Sequence, residues 1–238
     1  MKTEKTIRLG IEFETVESGW MKATDDRFWE RTNYERVWLH GNHCPKDTPH
    51  PQKTLVSAGG WVGVFELMAS KIYDKVYSLE PNPISFDEFQ MNIHLNGYTN
   101  IQLDNLALFD GSVETLTMHN GGAPDGCGAT SMFREGREDI VVPCTTLRKY
   151  FEKNDIQKYA FLMLDVEGAE CVLFDDTEFF ETYRPIVLVE IHFMYNKVGR
   201  MLQSLEKLKH VYNFPDFEGY DKPGRLDTRH EMFIPTII

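Results

Sequence analysis

The chain has few cysteines, no long apolar run and a shortage of positive charge. Its four cysteines, Cys44, Cys127, Cys144 and Cys171, are scattered and form no Cys-x-x-Cys pair. That argues against a disulfide framework and for a reducing compartment. No stretch approaches the roughly 18 consecutive apolar residues of a membrane-spanning helix, so no membrane contact is expected. Met1-Lys2-Thr3-Glu4-Lys5 lacks the apolar core of a signal peptide. A cytoplasmic protein is the expectation. Lys and Arg number 25 against 37 Asp and Glu, a net charge of −12. Residues 1–50 carry −1 of this and residues 51–238 carry −11. An acidic body repels polyanions, because nucleic-acid affinity rests on phosphate neutralisation by Lys and Arg. The compact basic cluster at Arg134 and Arg137 is interleaved with Glu135, Glu138 and Asp139. Repeats and low-complexity tracts are absent as well.

The Gly-x-Gly-x-x-Gly fingerprint of dinucleotide-binding turns is also missing. From Gly59 it needs glycine at 61 and 64, where the chain has Trp61 and Val64. A glycine turn is nevertheless present. The apolar strand Thr54-Leu55-Val56-Ser57-Ala58 breaks into Gly59-Gly60-Trp61-Val62-Gly63. A helical run follows, then a second strand, Lys75-Val76-Tyr77-Ser78-Leu79, ending in Glu80-Pro81-Asn82-Pro83. Glycines at such a turn let backbone approach a ligand, and a carboxylate at the next strand tip accepts hydrogen bonds from ribose hydroxyls. Trp61 crowds the approach of a pyrophosphate. S-adenosylmethionine has none and needs room only for a methionine tail and a ribose clamp. The spacing therefore favours it, with Ser57, Ala58, Gly59, Gly63, Glu80, Pro81 and Asn82 as the cofactor side.

Two regions are expected: an N-terminal helical extension at 1–50 and an α/β domain at 51–238. Helical spacing covers Asp25 to Val37, and Trp20, Trp29 and Trp38 supply a packing face, a cofactor cover or an oligomer surface. His40, His43, Cys44 and His50 match no common zinc spacing, so no metal site is expected. From residue 54 strands and helices alternate, with a glycine-rich loop at 120–130 and a long loop at 215–228. Such alternation predicts a doubly wound, mostly parallel sheet covered on both faces, with ligands beyond the carboxyl ends of its strands. Apolar strands stop at Ser57, Glu80, Asn105, Asp165 and His192, which should gather along one sheet edge.

The chain resembles the FkbM-type methyltransferases, a branch of the class I S-adenosylmethionine-dependent enzymes. The matching pieces are Gly59 to Gly63, Leu79-Glu80-Pro81-Asn82-Pro83, Asn92 to Gly97, Asn105-Leu106-Ala107-Leu108 with Asp110, Val142 to Leu147, Leu164-Asp165-Val166-Glu167-Gly168-Ala169-Glu170, and Val189-Glu190-Ile191-His192. The resemblance implies a Rossmann-like sheet of about seven strands with a reversed last strand. It also implies methyl transfer to a hydroxyl oxygen of a small metabolite or sugar. The chain departs from the family pattern at Ser57, where an acidic residue is usual, and at Trp61.

In this reading Asp165 faces the sulfonium or caps the next turn, and His192 is the base, its ordinary pKa being about 6.5. Glu167 orients His192, binds acceptor hydroxyls or sits exposed in a turn. Glu170 belongs to a first helical turn, and Glu190 is a partner of His192 or is paired elsewhere. Asn105 and Leu106 end the third strand at the adenine rim, or serve turn and core. Two competing readings remain: a binding or scaffold protein on a decayed methyltransferase fold, and a nicotinamide-dependent oxidoreductase.

Overall fold

The structure is a computed structural model that describes residues 2–8, 10–16, 53–119, 131, 139–192, 198–214 and 228–236. The expected helix at 25–37, the histidine-rich loop, the tryptophan face, the 120–130 loop, the basic cluster at 134–138 and most of the 215–228 loop lie outside these residues.

The described N-terminal residues are strands, in contrast to the helical extension expected there. β1 (Thr3–Arg8) and β2 (Ile11–Val16) pair antiparallel, with Arg8 opposite Ile11 and Thr3 opposite Val16. The reason is a period of two: Phe13 and Thr15 are buried on one face of β2, while Glu12 is exposed. The free edge of β2 docks on a helix. Asn92 Oδ1 accepts from the Val16 N–H, and the Asn96 side chain accepts from the Glu14 N–H and donates to the Glu14 carbonyl. Two side-chain amides thus take the place of a neighbouring strand and satisfy an otherwise exposed edge.

The α/β domain follows in chain order. β3 (Thr54–Ala58), α1 (Val64–Ala69), β4 (Lys75–Leu79), α2 (Pro83–Asn96) and β5 (Ile101–Asp104) form two strand–helix–strand units of parallel sheet. A small separate sheet comprises β6 (Ala107–Leu108), β7 (Thr115–His119) and β8 (Asp139–Thr145). Then come α3 (Leu147–Lys153), β9 (Phe161–Leu164), α4 (Glu170–Leu173), α5 (Thr177–Tyr183), β10 (Ile186–His192), α6 (Val198–Lys207), β11 (Tyr212–Asn213) and β12 (Thr228–Pro235). The main sheet has seven strands in the order β11-β12-β10-β9-β3-β4-β5. Strands β10, β9, β3, β4 and β5 are parallel, and β12 runs antiparallel between β10 and β11. The expected Rossmann-like sheet with a reversed last strand is what forms. No described helix is long and apolar enough to cross a membrane.

Alternate residues of the central strands feed two cores, one on each face. Val56, Leu162, Leu164, Val187 and Val189 pack with Phe151, Phe174, Phe179 and Phe180. Leu55, Phe161, Met163, Ile186 and Leu188 pack with Leu67 and Met68 of α1. Burial on both faces explains why these strands read as unbroken apolar runs. Strand order reverses between β3 and β9, so their carboxyl ends flank the crevice where such sheets bind ligands. At that point Gly59 has φ 89, and a Cβ there would run into the Asp165 carbonyl oxygen. Gly59→Ala should therefore lower unfolding free energy by at least about 2 kcal/mol in urea titrations, from left-handed strain and overlap together. An unchanged midpoint would show that the turn relaxes.

Candidate functional site

Three groups of polar residues form at the strand tips. The first is built on Glu80, just past β4. Its Oε2 accepts the Trp61 N–H at 2.7 Å, and its Oε1 accepts the Asn82 N–H at 2.8 Å. Trp61 sits at φ 47, so this bond holds a non-glycine residue in the left-handed region. The N–H groups of Gly59 and Gly60 both donate to the Leu79 carbonyl, at 2.9 and 3.3 Å, tying the glycine turn to the same strand tip. Burial pushes the Glu80 carboxyl up to about 8, against the pull of the two backbone donors. Each of its oxygens keeps a lone pair beyond the bond it accepts.

The neighbours of Glu80 do structural work. Asn105 Nδ2 donates to the carbonyls of Glu80 and Pro81, at 2.8 and 3.0 Å. Asn82 caps α2 by accepting the Ile84 N–H at 2.9 Å. Leu106 packs against the core. Gly63, at φ 85, opens α1 against the Phe89 ring, which leaves no room for a Cβ. At Gly59 and Gly63 the close approach is thus made by the protein's own Asp165 backbone and Phe89 ring.

The second group was not read from the sequence. Ser57 is fully buried, and its hydroxyl donates to Glu66 Oε1 at 2.5 Å. Ser78 lies at 3.5 Å from the same oxygen. Glu66 is 1% exposed, and its Oε2 has no hydrogen-bond partner among the described residues. Burial pushes its carboxyl up to about 7, opposed by the bond from Ser57. The sequence carried a signal: Glu66 is the one charged residue in the apolar run Val64 to Ala69, all six residues of which the structure buries. The position that lacks the usual acidic residue, Ser57, therefore touches a carboxylate reaching it from the next helix.

The third group surrounds His192, the last residue of β10. Glu170, at the start of α4, is hydrogen-bonded to His192 Nδ1 at 2.7 Å. Both side chains are almost fully buried. The orienting carboxylate is thus Glu170, where the sequence had suggested Glu167 or Glu190. Across the ring, Nε2 lies 3.4 Å from Glu167, 3.8 Å from Asp165 and 4.0 Å from Glu190. Glu167 is held at φ 50 before Gly168 at φ 106. Ser131 donates to its carbonyl at 2.8 Å. Asp165 is 31% exposed as a side chain, yet its Oδ1 is shut off from solvent with no hydrogen-bond partner among the described residues. Burial and the Glu190 charge hold the Asp165 carboxyl well above the usual range, with His192 pulling the other way. Burial alone would lower His192, but the hydrogen bond and charge of Glu170, with Asp165 and Glu167, together hold it up at about 9. It keeps its proton at neutral pH.

A seven-stranded sheet with this order, a reversed strand beside one edge and acidic groups on neighbouring tips defines the class I methyltransferase fold. Solved structures share it, two of which serve for comparison. A Streptococcus mutans protein in complex with SAH aligns over 87% of this chain and 98% of its own, at 9% identity and a TM-score of 0.51. The SAM-dependent methyltransferase from Agrobacterium tumefaciens aligns over 97% of this chain and 69% of its own, at 10% identity and a TM-score of 0.50. Comparison with curated proteins finds no match. The Methyltransferase FkbM domain model matches residues 57–214, and the chain belongs to that family.

The Glu66 environment has a pH signature. Its folded pKa of about 7 stands above the ordinary 4.5. The protonated form is thus the one the fold tolerates, and stability falls as pH rises from the ordinary value through about 7. Glu66→Gln, which mimics the protonated carboxyl, should match wild type near the ordinary value. At alkaline pH it should exceed wild type by on the order of 1–3 kcal/mol. Denaturant titrations at the two ends of that window check this, and equal losses at both would exclude a titrating Glu66.

Proposed function

We propose that the protein is an S-adenosylmethionine-dependent methyltransferase that methylates a hydroxyl oxygen on a small metabolite or sugar. The observation that carries this reading is the pairing of two strand-tip groups across the switch point. Glu80 stands on one side, and Asp165, Glu167 and His192 stand on the other. The residues fit the cofactor. Glu80 keeps lone pairs for ribose hydroxyls, and a sulfonium cation would favour the charged form of Asp165, whose Oδ1 has no hydrogen-bond partner among the described residues. Ala58, Gly59 and Gly63 supply backbone at the turn, and Pro81, Asn82, Asn105 and Leu106 form the adenine side. Ser57 acts through Glu66.

S-adenosylmethionine brings a methyl carbon on a sulfonium sulfur, from which an acceptor oxygen displaces it. The protein's task is to hold the acceptor in line and to take its proton. His192 holds a proton at neutral pH, so the receiving group in this reading is the carboxylate beside it, Glu167. The acidic body disfavours nucleic acid as acceptor, and the scattered cysteines suit a reducing cytoplasm.

Calorimetry with S-adenosylmethionine tests the proposal. Folded wild-type protein should bind it, and Glu80→Ala should weaken binding at least about tenfold. Glu167→Gln and His192→Gln should bind it within about threefold of wild type yet lose on the order of 100-fold in turnover. Absence of binding at millimolar ligand would overturn the reading.

A further inference from the structure

The His192 cluster has the composition of a metal centre. Ligand atoms of Asp165, Glu190 and His192 all lie within 4.8 Å of one another. An octahedral divalent ion at about 2.1 Å from its ligands holds them roughly 3 Å apart in cis and roughly 4.2 Å in trans. Small side-chain movements, with the proton on His192 Nε2 released to solvent, therefore close this set on an ion. We infer that Asp165, Glu190 and His192 bind a divalent cation such as Mn2+, with Glu167 left beside it to take a proton from the acceptor.

Three observations support the assignment beyond the crowding of carboxylates. His192 is 3% exposed, and its Nδ1 is engaged by Glu170 at 2.7 Å, which fixes the ring with Nε2 toward the carboxylates. A carboxylate behind an imidazole is the usual outer support of a metal-bound histidine. Asp165 Oδ1 is buried without a hydrogen-bond partner among the described residues and lies 3.8 Å from His192 Nε2, so an oxygen donor faces the same space as the ring nitrogen. The ligands also come from rigid places. Glu190 and His192 lie in β10, in register with β12, and Asp165 follows β9 with its N–H bonded to the Ala58 carbonyl at 2.9 Å.

Two carboxylates and one imidazole suit Mn2+ and its neighbours better than soft, thiolate-seeking ions. Three protein ligands leave an octahedral ion with open positions, and two adjacent oxygens, as in a vicinal diol or a hydroxy acid, fill them by chelation. The acceptor class is therefore a chelating hydroxyl compound. The cation's part in methyl transfer rests on the function proposed above, whereas its binding does not.

The test is Mn2+ binding to chelator-treated full-length protein, followed by electron paramagnetic resonance, without S-adenosylmethionine. One Mn2+ per chain should bind. Asp165→Asn and the near-isosteric Glu190→Gln should each weaken it at least about tenfold. The exposed Glu178→Gln should leave it unchanged. Far-UV circular dichroism and S-adenosylmethionine calorimetry on Glu190→Gln separate loss of a ligand from loss of fold. Failure of wild type to bind Mn2+, or equal binding by folded Glu190→Gln, would overturn the site. Mn2+ binding without S-adenosylmethionine binding would leave the cation site standing and remove the proposed function instead.

Discussion

The contact on which the rest depends is the close packing of backbone between Gly59 and Asp165. The Asp165 N–H reaches the Ala58 carbonyl, and the Asp165 carbonyl occupies the space that a Cβ at residue 59 would fill. This joins the tips of β3 and β9 where the strand order reverses. One side of the junction carries the glycine turn, which Glu80 holds through Trp61. The other side carries Asp165, Glu167 and the His192 ring. Neither side is a site alone, and their separation is set by a contact that no side chain makes.

The second theme is the handling of buried carboxylates. Each is satisfied to a different degree. Glu170 has an imidazole, Glu80 has two backbone N–H donors, and Glu66 has a serine hydroxyl on one oxygen only. Asp165 Oδ1 has no hydrogen-bond partner among the described residues. A folded protein keeps such groups only where the surrounding structure forces them or where a ligand completes them. The gradient runs from structural support at Glu170 toward open chemistry at Asp165, and both ends meet at His192.

Much of the fold was legible, for identifiable reasons. The strands at Thr54–Ala58, Lys75–Leu79, Phe161–Leu164 and Ile186–His192 are apolar runs that a two-sided sheet demands. α2 ends at Asn96, where Gly97 takes the left-handed conformation that closes a helix. The N-terminal hairpin leaves a fainter mark on the sequence than the aromatic residues at 28–38. Its alternation at Ile11, Phe13 and Thr15 was short, and its docking asparagines lie some 80 residues away, at separations of 76 and 82. The gathering of Glu80, Asp165 and His192 at strand tips was legible, since parallel strands all end on one side. Ser57 stops there too, but its hydroxyl turns inward to Glu66.

The sequence by itself determined which residues stand at strand tips, because hydrophobic runs and glycine turns are local signals. From those followed the α/β class, while the reversed last strand was implied by the resemblance to the FkbM-type family. Only the tertiary structure decided which polar groups pair. Glu66 meets Ser57, Glu170 takes His192 Nδ1, and Asn82 and Asn105 hydrogen-bond to backbone. The physical reason is that a carboxylate has no sequence signature for its partner. Its hydrogen bonds are chosen by distance and burial, and those exist only once separate strands and helices have packed.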